Sequence, residues 1–117
     1  MTAEQIFQGI TDDLLKETDV TLAAMFGAPG LRSGGRVFAF LWKHRLVVKL
    51  PEARVEQLVS GEGAERFDPG HGRVSREWVA VEPGRKRIWP RLVREAREFV
   101  ARGPGKPSAR TKRGTKR

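Results

Sequence analysis

Positive charge is concentrated at the C-terminal end of this 117-residue chain. Residues 1–84 carry 10 Lys or Arg and 12 Asp or Glu, a balance of −2, whereas residues 85–117 carry 13 and 2, a balance of +11. The last stretch, 103–117, has six basic residues, no acidic residue and no large apolar residue. Because it cannot bury enough surface to offset its ordering entropy, we expect a disordered basic tail. Folding is then confined to residues 1–102, which suffice for one domain.

The composition and the N-terminus argue against secreted and membrane proteins. The chain has no cysteine, which excludes disulfides and thiolate metal sites. Residues 1–16 mix acidic and apolar side chains and lack the basic start and apolar run of a signal peptide. The longest uncharged stretch, 20–31, is too short and too rich in Gly and Pro to span a bilayer. We therefore expect a cytoplasmic protein without membrane contact.

Apolar residues recur at helical spacing in three segments, 3–17, 51–60 and 89–102. Thr2 is placed to cap the first segment. Pro51 suits the first turn of the second, and glycines follow both the second and the third. The pattern predicts helices at the N-terminus, in the middle and at the C-terminus of the domain.

The segments between these helices have the pattern of strands. A turn signal, Ser-Gly-Gly-Arg at 33–36, separates two apolar runs, and a Gly- and Pro-rich stretch at 27–30 is interpreted as a break or bulge. A three-stranded antiparallel meander is predicted at 21–26, 37–42 and 45–50, with a further strand at 77–82. The fold class is therefore predicted as α+β, an antiparallel β-sheet flanked by helices.

Several short motifs in this order resemble the N-terminal domain of the TfoX/Sxy family, with some likeness to MmcQ/YjbR-like proteins. They are Met25-Phe26-Gly27, Gly30-Leu31, Gly35-Arg36-Val37-Phe38-Ala39, Leu46-Val47-Val48-Lys49-Leu50, and Phe67-Asp68-Pro69-Gly70-His71-Gly72-Arg73 followed by Glu77-Trp78-Val79. The resemblance covers residues 6–100. It implies a secretion-chaperone-like α+β fold and an association with the regulation of DNA-uptake competence.

The basic residues of the last helix and the tail are the main candidates for binding a polyanion. Mobile cations suit contact with phosphates through counterion release, and Arg87, Arg91 and Arg94 are spaced to share a helical face. No nucleic-acid recognition motif accompanies them, so any such binding is predicted to be nonspecific. The alternative is a solvated tail and helix face. The candidates are Arg87, Arg91, Arg94, Lys106, Arg110, Lys112, Arg113, Lys116 and Arg117.

Two features of the body offer weaker candidate sites. In the loop 68–73, glycines could point backbone amides at an anion while His71 and Arg73 add charge; a plain structural turn explains the same residues. Phe38, Phe40 and Trp42 alternate along one strand and are predicted to share a face. That face would either stack nucleic-acid bases or lie in the core under the helices.

The sequence contains no arrangement typical of catalysis. It has no Gly-x-Ser-x-Gly elbow, no phosphate-binding loop and no metal-ligand spacing, so we predict no catalytic residue, no cofactor and no metal. The leading hypothesis is a small non-enzymatic TfoX-like accessory or regulatory protein that contacts nucleic acid nonspecifically through its basic C-terminal helix and tail. The alternative is an adaptor that binds another protein through a sheet face or edge. Either a monomer or a homodimer fits both hypotheses.

Overall fold

The computed structural model describes residues 2–25, 27–68 and 76–102. The predicted tail, 103–117, and the candidate loop residues His71 and Arg73 lie outside the described residues. The elements in chain order are α1 (Ala3–Leu14), β1 (Val20–Met25), β2 (Ala28–Ser33), β3 (Arg36–Trp42), β4 (Arg45–Lys49), α2 (Glu52–Ser60), β5 (Ala64–Arg66), β6 (Trp78–Val81), a 3₁₀ helix (Pro83–Ile88) and α3 (Trp89–Ala101).

The fold is α+β, as predicted, with helices at the N-terminus, in the middle and at the C-terminus. The described strands form one antiparallel sheet in the order β1-β2-β3-β4-β6-β5. The prediction of a three-stranded meander plus one strand left out β2 and β5. Thr2 caps α1 as expected: its Oγ1 accepts from the Gln5 N–H at 3.1 Å, and the Gln5 side chain accepts from the Thr2 N–H at 2.9 Å.

Strand β2 exists because the chain reverses within two residues, where the sequence predicted only a break. Met25 pairs with Ala28, and Gly27 adopts a φ of 77° in the turn. Pairing of β2 with β3 begins at Gly30, so the missing N–H of Pro29 costs that ladder no hydrogen bond. A side chain at residue 30 would meet Phe40 Cβ at 3.0 Å, which explains the glycine there.

A β-bulge in β3 corrects the prediction that Phe38, Phe40 and Trp42 share a face. Leu31 pairs with Ala39 while Arg32 pairs with Val37, which leaves Phe38 as the extra residue of β3. Phe38 is fully buried on the helix side of the sheet, whereas Phe40 and Trp42 belong to a cluster on the opposite side. The strict alternation assumed from the sequence ends at this bulge.

The main core lies between the sheet and the helices. α3 crosses β2, β3 and β4, and its buried stripe is Trp89, Leu92, Val93, Ala96 and Val100. α1 adds Phe7, Ile10 and Leu14, and α2 adds Val55 and Leu58. This burial, worth about 25 cal/mol for each Å² of apolar surface, holds α3 on the sheet and turns its polar face outward. In the ranges that the structure describes, no helix is long and apolar enough to cross a membrane.

Candidate nucleic-acid interface

Three of the nine predicted nucleic-acid-binding residues lie in described parts of the chain, and all three are exposed. Arg91 and Arg94 are three residues apart on α3, so they share a side of the helix. Arg87 lies on the preceding 3₁₀ helix, so the helical spacing by which the sequence grouped it with Arg91 and Arg94 runs across two different helices. The remaining six, in the tail, lie outside the described residues.

The junction of the 3₁₀ helix with α3 carries three cations that have no carboxylate neighbour among the described residues. No Asp or Glu of the described residues lies within 4.0 Å of Lys86, Arg87 or Arg91. All three side chains belong to exposed residues, and the first turn of α3 contains no acidic residue. The positive end of the helix dipole adds to their potential. These residues therefore form a surface that attracts anions.

Arg94 extends this surface because its ion pair is weak. Its Nη2 lies 3.7 Å from Asp13 Oδ2, and both side chains are more than half exposed. Exposed pairs of this length contribute between nothing and about 1 kcal/mol, since water and salt screen them. Arg94 can exchange Asp13 for a phosphate at little cost. We name Lys86, Arg87, Arg91 and Arg94 the cationic strip.

The second half of α3 is neutralised from within the molecule. Arg97 binds both carboxylate oxygens of Asp19, with Nη2–Oδ1 at 2.6 Å and Nε–Oδ2 at 3.1 Å, and its Nη2 lies 3.5 Å from Glu17. Glu95 is held in the same two-pronged way by Arg54 of α2, at 2.9 and 3.1 Å. These pairs tie α3 to neighbouring elements and leave little charge for an external partner.

Among the carboxylates of the described residues, Asp19 has the most strongly shifted pKa. The hydrogen bond from Arg97 and then the hydrogen bond from the Ser33 hydroxyl, at 2.6 Å, lower its pKa from 3.8 to about 2. The same contact with Asp19 raises the pKa of Arg97. Both residues line a shallow cleft of about 430 Å³, together with Ser33 and Arg36. Because its charges are paired, this cluster is suited to fixing α3 against β1 and β2.

Lys86 is part of the strip but was not among the predicted residues. The signal was available in the run Arg85-Lys86-Arg87, which precedes α3 directly. The run is not uniform, since Arg85 donates to the backbone carbonyl of Glu62 and is thereby held against the body. Only the tertiary structure shows that Arg85 is held against the body whereas Lys86 and Arg87 are exposed.

The aromatic residues proposed for base stacking are engaged with one another. Phe40 is only 1% exposed, and its ring centroid lies 5.4 Å from that of Phe67 and 5.5 Å from that of Trp78. Trp42 packs edge-on against Phe67, at 5.9 Å between centroids. Phe40 therefore has no open ring face for a base. Lys43 and Lys49 sit over the Trp42 and Trp78 rings, at 5.3 and 5.9 Å from the centroids.

The predicted anion loop, 68–73, lies mostly outside the described residues and stays a prediction. Of the anion loop, Asp68 is described and exposed. His44 occupies a hairpin tip with a φ of 66°, and its Nδ1 lies 2.8 Å from a Glu4 oxygen. Within the described ranges, no three His, Cys, Asp or Glu side chains are grouped as a metal site would require.

Comparison with known proteins adds no assignment. No family model, no curated protein and no solved structure matches this chain. The chemistry of its own residues therefore carries any functional argument.

Proposed function

We propose that this chain is a small non-enzymatic accessory protein of the TfoX/Sxy type that binds nucleic acid nonspecifically. The contact is made by the cationic strip and by the basic tail, 103–117. The observation that carries the proposal is the exposure of Lys86, Arg87 and Arg91 without a carboxylate within 4.0 Å in the described part of the chain. Surface cations are usually interspersed with acids, so three uncompensated ones favour an anionic partner.

The geometry of α3 allows the strip and the tail to contact one duplex. The helix has 13 residues, so its two ends are about 20 Å apart. The strip lies at one end and the tail follows from the other. About six base pairs of B-DNA cover the same length, and each base pair carries two phosphates. A single short duplex therefore supplies phosphates to both groups of cations.

The mode of contact is electrostatic and independent of sequence. Arginine and lysine side chains bind phosphate oxygens wherever the backbone passes, whereas reading of bases requires groups that enter a groove. The strip lies on the exposed surface of the 3₁₀ helix and the first half of α3, and a cationic segment of six basic residues follows α3 in the sequence. Binding by such groups releases counterions, so the affinity must fall steeply with salt.

Salt-dependent binding tests this proposal. Fluorescence anisotropy of a labelled duplex of arbitrary sequence is measured with the full chain and with a full-length variant whose six tail cations are replaced by Gln. If six phosphates are neutralised, we expect the wild-type affinity to fall about 10³-fold between about 50 and 200 mM salt. The tail variant should bind more weakly at low salt and show a shallower salt dependence.

Two results would contradict the proposal. The first is an affinity that does not change with salt, and the second is a tail variant that binds like the wild type. A scrambled duplex and a single strand serve as controls for specificity. The slope is expected to be shallower on the single strand, at about 0.7 instead of 0.9 per contact.

The alternative function, an adaptor that binds protein through a sheet edge, is favoured by one observation. Strand β1 lies at an end of the sheet of described strands and is uncharged, and its residues Thr21, Leu22 and Ala24 are exposed. This feature does not depend on the cationic strip.

A further inference from the structure

The two edges of the sheet differ in how well they resist pairing with another strand. At one edge, β5 is only three residues long, Ala64–Arg66, and two of the three are charged. Glu65 pairs with Arg45 at 3.3 Å, and Arg66 lies 3.8 Å from Glu56. Short, charged strands of this kind are how natural sheets prevent edge-to-edge association.

The other edge, β1, has none of these protections. Its six residues, Val20–Met25, include no charge and no proline, and among the described strands it pairs with β2 alone. Leu22 is 60% exposed, the higher of the two exposed large hydrophobic residues found in the described ranges. Thr21 and Ala24 of the same strand are exposed as well. A long uncharged edge with an exposed leucine is a template for a further strand.

The alternation of residues along β1 shows which of its backbone N–H and C=O groups are open to a further strand. The Val20 N–H donates to the carbonyl of Glu17 at 3.3 Å, so it is turned away from the ladder with β2. Successive residues of an antiparallel strand alternate in the direction of their N–H and C=O groups. Leu22 and Ala24 lie two and four residues after Val20, so they also turn these groups away from β2, toward the open edge.

We propose that β1 pairs antiparallel with β1 of a second copy of this chain, with Leu22 facing Leu22 of that copy across a two-fold axis. In this register Val20 faces Ala24 of the copy: the Val20 C=O accepts from the Ala24 N–H, whereas the Val20 N–H keeps its hydrogen bond to Glu17. The two exposed Leu22 side chains then lie on the same face of a joined sheet and shield each other from water.

The absence of charge within β1 favours a second copy as the partner, because two such strands do not repel each other, and the residues that flank β1 favour the antiparallel direction. Glu17 and Asp19 precede the strand, and no acidic residue follows it before β2 ends. Arg97 of the same molecule already pairs with both acids, so this end of β1 is occupied by an ion-pair cluster; antiparallel pairing places the two clusters at opposite ends of the shared ladder, whereas parallel pairing would crowd them side by side. A two-fold contact of one surface with itself is the commonest form of protein association.

The small size of the contact predicts a weak dimer. A six-residue strand contributes less than the roughly 800 Å² per partner of a standard stable interface. The dimer is therefore expected to form in a concentration-dependent way. An extended peptide of another protein is the competing occupant, and it would leave the chain monomeric on its own.

The absence of cysteine allows a direct test of the register. Residues facing each other in a hydrogen-bonded pair have Cα atoms about 5.5 Å apart, within the range of a disulfide. The full-length Leu22→Cys variant should therefore form a disulfide-linked dimer under mild oxidation. Ala24→Cys is the matched control on the same strand, because the two Ala24 residues would be more than about 10 Å apart in this register. Equal cross-linking of both variants, or of neither, would overturn the proposal.

Sedimentation velocity over a concentration series tests the association itself, in about 0.5 M salt so that nucleic acid cannot bridge copies. The wild type should shift from monomer to dimer with rising concentration, and Leu22→Lys should stay monomeric. Leu15→Lys changes the other exposed leucine, at the end of α1, and should dimerise like the wild type. Mixing Leu22→Lys with Leu22→Glu should restore the dimer, since the two charges would face each other. A wild type that is monomeric at every concentration, or a dimer that Leu22→Lys leaves intact, would refute the pairing.

Discussion

Arg91 and Arg97 lie on the same helix, six residues apart, yet their surroundings are opposite. Arg91 is exposed, and no carboxylate of the described residues lies within 4.0 Å of it. Arg97 is half-buried and binds Asp19 through two hydrogen bonds, with Glu17 beside it. The first is free to bind an external anion, whereas the second already has an internal one. The number of arginines on a helix therefore does not measure the charge that it offers to a partner.

The largest effect that separates the two ends of α3 is expected in nucleic-acid binding. The Arg87→Gln/Arg91→Gln double variant loses two phosphate contacts, each worth nearly tenfold in affinity at about 0.1 M salt, so binding should weaken on the order of 50-fold. Anisotropy with the labelled duplex measures this loss, and the salt slope should fall by about two.

Lys43→Gln/Lys49→Gln is the matched control for that double variant. It removes the same charge from side chains that lie over the Trp42 and Trp78 rings, on the sheet face opposite the helices. It should leave the affinity close to that of the wild type. An equal loss for both double variants would mean that net charge alone, and not the cationic strip, attracts the duplex.

The next effect concerns stability and reverses the ranking of the two arginines. Arg97→Gln leaves Asp19 without its two-pronged partner and removes a tie between α3 and the start of β1, so the free energy of unfolding should fall. Arg91→Gln should change it by no more than about 0.5 kcal/mol, as is usual for surface positions. Thermal and urea unfolding measure both, and a comparable loss for the two variants would contradict the division of α3.

The smallest effect is a pH dependence that belongs to Asp19. Its pKa is lowered from 3.8 to about 2 in the folded protein, mainly by the hydrogen bond from Arg97. The stability that its charge contributes is therefore present above about pH 4 and is lost as the pH falls toward 2. Asp19→Asn should be less stable than the wild type at pH 6, and this difference should narrow through that window.

Urea unfolding at pH 6, 4, 3 and 2 follows this narrowing. The Arg97→Gln background provides the control, since the largest cause of the lowered pKa is then absent. In that background, the effect of Asp19→Asn on the free energy of unfolding should depend less on pH. If the stability difference between Asp19→Asn and the wild type did not change with pH while Arg97 is present, the Asp19 charge would not contribute to stability.

Much of the fold could be predicted because its signals are local. The cap of α1 by Thr2, the turn at Gly34 and Gly35 with φ of 58° and 85°, and the start of α3 at Trp89 each depend on neighbouring residues. Such features are decided by backbone sterics and short-range hydrogen bonds, which the sequence displays directly.

The errors arose where one residue depends on a distant partner. Pro29 and Gly30 suggested a break, but they are accommodated in β2 because of where its pairing with β3 begins. Phe38 lies on the helix side of the sheet, and not on the side of Phe40, because the bulge interrupts the alternation of side chains along β3. Neither outcome can be deduced from a strand considered alone, since register is a property of two strands.

By itself, the amino-acid sequence determined the separation of charge along the chain, the three helices and the tight turns, because composition, periodicity and turn chemistry act over a few residues. Only the tertiary structure decided which cations remain available. Asp19 and Arg97 are 78 positions apart, and their pairing follows from packing α3 against the start of β1. The strand order of the described sheet likewise places β1 at an edge. Ion pairs and sheet edges depend on residues that are far apart in the sequence, so they are defined only in the folded tertiary structure.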